Sequence, residues 1–163
     1  MTSIPIAEVQ SRFFTKAEAF DLINANEDRG ELIRDILDEW LRSALFYPHI
    51  QKLFSTFSIN VEDSTIEFEM NYPINETYDR EFVLEVLSFG MVLGWITPKV
   101  TSITNITQFF GETDSKYYSQ ASHLSELRAL RDDIENRIRR LIRDRGFFNN
   151  SYLDGTSASS TLR

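Results

Sequence analysis

The sequence predicts a mainly α fold with a minor β part. A helical domain carries one small β-hairpin and is followed by a long C-terminal helix and an extended C-terminal tail. Three observations lead there. Apolar residues recur at spacings of three and four over residues 29–46, 79–97 and 119–145, the signature of helices with one buried face. Between residues 57 and 72 the period drops to two on both sides of a short polar turn, which is the pattern of a hairpin. Past residue 146 the apolar periodicity stops, and Asp154-Gly155-Thr156-Ser157-Ala158-Ser159-Ser160 offers almost nothing to bury. A chain of 163 residues therefore divides into a single domain, residues 1–146, and a tail, residues 147–163, expected to dock on a partner.

The elements follow in order. Residues 16–26 read as a short helix with Thr15 as its cap. Asp28 and Glu31 form a capping box. Behind it Leu32, Ile33, Ile36, Leu37, Trp40, Leu41, Ala44 and Leu45 define the apolar face of a helix that stops near Tyr47-Pro48. In the hairpin, Ile59 and Val61, then Ile66, Phe68 and Met70, face inward, with Glu67 and Glu69 on a solvated face. Two strands alone are marginal, so the hairpin has to lie on helices or pair with another chain. Residues 79–97 form the central helix, apolar nearly all round in its second half and hence the most buried element. Gly90 and Gly94 sit one turn apart and imply a close backbone approach. A break is expected at Thr97-Pro98, because the residue before proline is pushed out of the helical region, with a short helix over 102–110 beyond it. The last helix sets Leu124, Leu127, Leu130, Ile134, Ile138 and Leu141 on one side. Its twenty-seven residues span roughly 40 Å, so part of it projects or packs on a neighbour.

Composition narrows the function. With no cysteine there is neither a disulfide framework nor a thiolate metal site, which suits a reducing compartment. Met1-Thr2-Ser3-Ile4-Pro5 has no basic region followed by an apolar run, so no signal peptide is expected. The most apolar stretch, residues 82–96, falls short of the roughly twenty residues a bilayer needs, so no membrane partner is expected. The net charge of −8 is uneven: residues 1–115 carry 8 basic and 19 acidic side chains, residues 116–163 carry 9 and 6. An acidic body with a basic end favours head-to-tail contacts, although arginines at a helix C-terminus also complement the helix dipole.

No catalytic, cofactor-binding or metal-binding residue is assigned. The two histidines, His49 and His123, have no partner at metal-ligand spacing, no glycine-rich phosphate loop follows a strand, and no serine sits in a nucleophile elbow. Candidate partner-binding residues are the arginines of the last helix, Arg137, Arg139, Arg140, Arg143 and Arg145, with the aromatic and aliphatic residues that follow, Phe147, Phe148, Tyr152 and Leu153. Arginine beside aromatics also serves single-strand nucleic-acid binding, but Asp144 interrupts the cluster and a pI near 4.8 is unlike a nucleic-acid module. A protein interface is the better reading, with no sequence-specific nucleic acid.

The stretch from Gly90-Met91-Val92-Leu93-Gly94-Trp95-Ile96-Thr97-Pro98, through Phe109-Phe110, to Tyr117-Tyr118-Ser119-Gln120-Ala121-Ser122-His123-Leu124 resembles small virion structural proteins of tailed bacteriophages. In these an apolar helix ends near a Trp-x-x-Pro, and a phenylalanine-bearing loop leads to a serine-glutamine-alanine opening of a long arginine-rich helix. The pattern has asparagine where this chain has Ser122. The resemblance covers roughly residues 82–145 and implies a head-to-tail connector (neck or adaptor) ring subunit, with a tail or baseplate position as the alternative. Its partners would be other copies of itself and portal or tail components. It would be assembled in the host cytoplasm, reside in the virion, and carry no catalytic residues. The competing expectation is a soluble regulatory module that grips one partner with the long helix.

Overall fold

The computed structural model describes residues 2–17, 30–60, 62–109 and 116–147. Over these the order is β1 (Thr2–Pro5), α1 (Ile6–Ala17), α2 (Gly30–Leu45), α3 (Pro48–Gln51), β2 (Phe54–Asn60), β3 (Thr65–Met70), α4 (Glu76–Phe109) and α5 (Lys116–Gly146). The fold is mainly α with a minor antiparallel sheet, as the periodicities indicate.

α4 is the axis around which the rest packs. From Phe82 to Val92 its buried apolar side chains include Leu84, Leu87 and Met91, each with no exposure. A helix apolar on every side needs cover on every side. By length and composition, Glu76–Ser102 would also suit a membrane span, but most of its apolar stretch is buried inside the protein.

α1 runs alongside α4 in the same direction, since Arg80 pairs with Glu8, Arg12 with Glu81, and Lys16 with Glu85 at 2.8 Å. The hydrogen bond from Arg12 holds the Glu81 carboxyl below its ordinary range. These pairs are partly exposed and screened by solvent, so Val9 and Phe13, fully buried, anchor the helix. α2 runs antiparallel to α4. A Cβ on Gly90 would stand 2.6 Å from the Ala44 Cβ, and one on Gly94 would stand 3.3 Å from the Trp40 side chain. This is the close approach that the glycine spacing implies.

The sheet has the order β1-β3-β2, so the hairpin gains a third strand from its own N-terminus. Ile4 lies opposite Ile66, and Phe57 opposite Phe68. Ile4, Ile66, Phe68 and Met70 are buried on the inner face. The hairpin turn is closed by Asn60, whose Oδ1 accepts from the backbone N–H groups of Glu62 and Asp63, while Ser64 takes a left-handed φ of 50°.

The structure corrects several expectations. Thr15 is not a cap: it lies inside α1, and its hydroxyl donates to the Ser11 carbonyl. The rest of the 16–26 segment past Ala17, and Asp28 of the capping box, lie outside the described residues. Leu32 is exposed, because nine residues at about 100° each place it opposite Leu41 on α2. The break at Thr97-Pro98 does not occur, and residues 102–109 of the separate helix expected over 102–110 are the continuation of α4, Phe110 lying outside the described residues. Around the proline, the Thr97 hydroxyl donates to the Leu93 carbonyl at 2.7 Å and the Thr101 hydroxyl to the Thr97 carbonyl at 3.1 Å. Ile96 and Val100 remain buried beyond it.

Candidate interaction surface

α5 has 31 residues, about 46 Å of helix, and runs antiparallel to α4. Its C-terminal Arg145 meets Asp79 in the first turn of α4, and Arg137 lies over Phe89 farther along. Ile134 and Ile138 join the main core, with Leu141 and Ile142 packed against it. Leu124, like Ile96 and Val100 of α4, is buried but stands apart from that core. The two helices thus continue beyond the body as a paired arm. Leu130, expected on the buried seam, is exposed there, one turn past Ile134 where the core ends.

The arginines do not behave as one cluster. Arg139 donates to Glu135 at 2.5 Å, one turn away, and Glu135 also accepts from the Tyr47 hydroxyl at 2.8 Å. Burial pushes the Tyr47 phenol above its ordinary value, and the hydrogen bond to Glu135 adds to the rise. Arg137 is exposed, with its guanidinium 4.9 Å from the centre of the Phe89 ring. Arg140 is fully on the surface, and Arg143 reaches only its neighbour Asp144 at 3.3 Å, both side chains exposed.

Arg145 corrects the sequence reading most sharply. It is 4% exposed, so it is not part of an open cationic face. Nη2 donates to Asp79 Oδ1 at 2.6 Å and to the Tyr72 carbonyl at 2.9 Å, and the guanidinium carbon stands 4.7 Å from the Phe82 ring centre. The signal was present in the spacing. Arg145 lies seven residues from Ile138, four from Leu141 and three from Ile142, so it continues the buried stripe. Asp79, 4% exposed, also accepts from the Ile74 N–H and is the buried countercharge that residue type alone did not reveal.

Around this end the surface is aromatic. Phe147 is 54% exposed and Tyr72 69% exposed, with Tyr78 close by, its ring 5.4 Å from the Arg145 guanidinium carbon. Phe148, Tyr152 and Leu153, the remaining candidates, lie outside the described residues. Arg140, Arg143 and Phe147 are thus exposed at the end of α5, and Tyr72, whose carbonyl Arg145 reaches, is exposed as well, while Arg145 itself is buried.

Two depressions bear on chemistry. One, of about 410 Å³, lies between α2 and α4 and is lined by Trp40, Ala44, Gly90, Gly94 and Pro98, with Glu39 at its rim. His49 is exposed on α3, its ring 5.6 Å from that of Tyr47. The other, of about 180 Å³, lies at the end of α5 beside Arg145. Among the described residues, no group of three histidine or acidic side chains is placed to hold a metal ion. Compared with known proteins, the chain matches no family model, no curated protein and no solved structure.

Proposed function

We propose that this chain is a non-enzymatic structural subunit of a tailed-phage virion. It joins copies of itself into a ring at the head-to-tail connector and contacts portal or tail components there. The observation that carries the reading is the C-terminal end of α5, which leaves arginines (Arg140, Arg143) and an aromatic (Phe147) exposed, with Tyr72, whose carbonyl Arg145 reaches, exposed as well. Arginine and aromatic side chains are the favoured anchors of protein interfaces. The opposite charge needed to receive that end is available on the same chain. Glu31, Asp35, Asp38 and Glu39 lie along the outer side of α2, all exposed. A basic end on one copy and an acidic flank on the next make a heterologous contact, which closes into a ring when the rotation between copies permits. The resemblance over residues 82–145 supplies the virion and the neck position; the surface supplies the reason to assemble.

The test is the mass and shape of the full-length protein as concentration rises. A closed oligomer by light scattering, visible as a ring by negative-stain microscopy, is the expected result. Because the contact is between charged faces, raising salt from 0.1 to 1 M, where the screening length falls from about 10 Å to about 3 Å, shifts assembly to higher protein concentration. A protein that stays monomeric at every concentration and instead forms a one-to-one complex with a monomeric target would replace this reading with that of a regulatory binding module.

A further inference from the structure

The three-stranded sheet is closed on one side and open on the other. β1, one edge, has four residues, ends in Pro5 and lies against α1 and α4. β2, the other edge, has seven residues with no charge and no proline, and it pairs with β3 alone. Charge and proline are the usual means of keeping an edge strand from pairing with another chain. The start of β2 is tied off. A register shift lies between Phe54 and Thr56, and the Asn71 side-chain amide donates to the Lys52 and Phe54 carbonyls at 2.9 and 3.1 Å. From Thr56 to Asn60, alternate residues direct their N–H and C=O groups away from β3, and no described backbone group pairs with them. The apolar layer also stops short at this edge. Ile66 and Phe68 of β3 are buried, whereas Ile59 and Phe57, opposite them on β2, are only half-buried. A file of rings runs outward from the core: Phe68 to Phe54 at 5.7 Å, Phe54 to Phe57 at 5.9 Å, and Phe57 to Phe46 at 5.8 Å between centres. It ends at Phe46 of α2, 61% exposed.

We infer that this edge pairs with the same edge of a second copy, antiparallel about a twofold axis at Ser58, so that two three-stranded sheets become one. That register sets Phe57 against Ile59 of the partner subunit, Ser58 against Ser58 of the partner subunit, and Thr56 against Asn60 of the partner subunit. The strand is self-complementary in it. Phe57 and Ile59 share the inner face with Phe68 and Ile66, so an aromatic meets a β-branched side chain there, a cross-strand pair that stabilises a sheet. Hydroxyls and an amide meet on the outer face. Because β2 is uncharged, two copies come together without the like-charge cost that a charged residue at the axis would impose. The partner's Ile59 also arrives beside Phe57, where Phe46 is stacked, and so gives the exposed end of the ring file an apolar neighbour. This contact is isologous, unlike the heterologous contact of the ring. It uses neither the end of α5 nor the acidic side chains of α2, and it does not rest on the ring reading.

Salt separates the two contacts, since about 1 M screens a charged interface but not an apolar, hydrogen-bonded strand pair. The full-length protein at high salt is expected to sediment as a dimer. Phe46→Ser, at an exposed position, should weaken that dimer about tenfold, the scale of covering one largely exposed phenylalanine. Its urea midpoint, read on the monomer, checks that the fold is kept. The absence of cysteine makes a second measurement direct. Ser58→Cys should oxidise to a covalent dimer, because the axis sets this position against itself. Ser3→Cys, also exposed but on the closed edge, should link far less. A monomer at high salt overturns the proposal. So does a Phe46→Ser dimer as tight as the parent, or linkage at Ser58→Cys no faster than at Ser3→Cys. Rings at low salt that fall to monomers at high salt keep the ring reading and remove the strand pair. Dimers at both keep the strand pair and remove the ring.

Discussion

Single residues carry two opposite kinds of fit in this molecule. At Gly90 the fit is steric. A methyl group there would meet the Ala44 Cβ at 2.6 Å and the Ile50 Cδ1 at 3.2 Å, with backbone close behind at the Ala44 Cα. Gly90→Ala is therefore expected to destabilise the fold by about 1–3 kcal/mol through overpacking, read as a lower urea midpoint with an unchanged slope. Adding Ala44→Gly to the same chain should recover part of the loss; a Gly90→Ala protein as stable as the parent would show that α2 and α4 have slack the structure does not display. At Arg145 the fit is electrostatic, and there sequence reading failed. Glycine spacing is informative because only a missing side chain permits such proximity. An arginine, by contrast, reads as surface until its countercharge is located, and Asp79 lies 66 residues away. What could have been noticed is phase: Arg145 continues the stripe of Ile138 and Leu141, whereas Arg139, Arg140 and Arg143 leave it.

Among the elements, the long periodic ones were legible and the short or interrupted ones were not. α2, the hairpin and α5 follow from spacing alone, because each has a buried face long enough to register. β1 has four residues and one buried side chain, Ile4, so no alternation could announce it. It exists because β3 offered an unpaired edge. α1 escaped the periodicity reading, although Val9 and Phe13 stand four apart and Pro5 directly precedes its first residue, a favoured position at a helix start. Pro98 is the informative error. Proline inside a helix removes one backbone hydrogen bond and crowds the carbonyl four residues back, here that of Gly94, at a cost of about 3 kcal/mol. The helix survives because Ile96 and Val100 are buried on either side of the proline, so tertiary packing outweighs local preference. Pro98→Ala is accordingly expected to stabilise the protein, by about 1–3 kcal/mol, with a matching rise in unfolding midpoint. If the substitution were neutral or harmful, the proline would be supporting a bend that the arm requires.

On the scale of the whole molecule, stability and assembly belong to different parts of the chain. Among the described residues, the core that holds the fold gathers α1, α2, the sheet, the first half of α4 and the second half of α5, with Ile142 the last side chain packed against it. The features that call for a partner lie outside it: the paired arm of α4 and α5, the exposed Phe147 and Tyr72, and the buried Arg145 Nη1, which has no hydrogen-bond partner among the described residues. Residues 149–163, with six serine and threonine residues, have a composition that supplies little with which to build a core. Deleting them should leave the unfolding free energy of the isolated subunit within about 0.5 kcal/mol of the full chain, the range expected of changes away from packed features. The same deletion should abolish the ring. Denaturation followed at low concentration, where subunits are separate, and light scattering at high concentration read the two effects independently. A truncated protein that still closes into rings would move the assembly contacts onto the arm and the arginines of α5. One that loses several kcal/mol as a monomer would show instead that the segment completes its own subunit, with Arg145 satisfied from within.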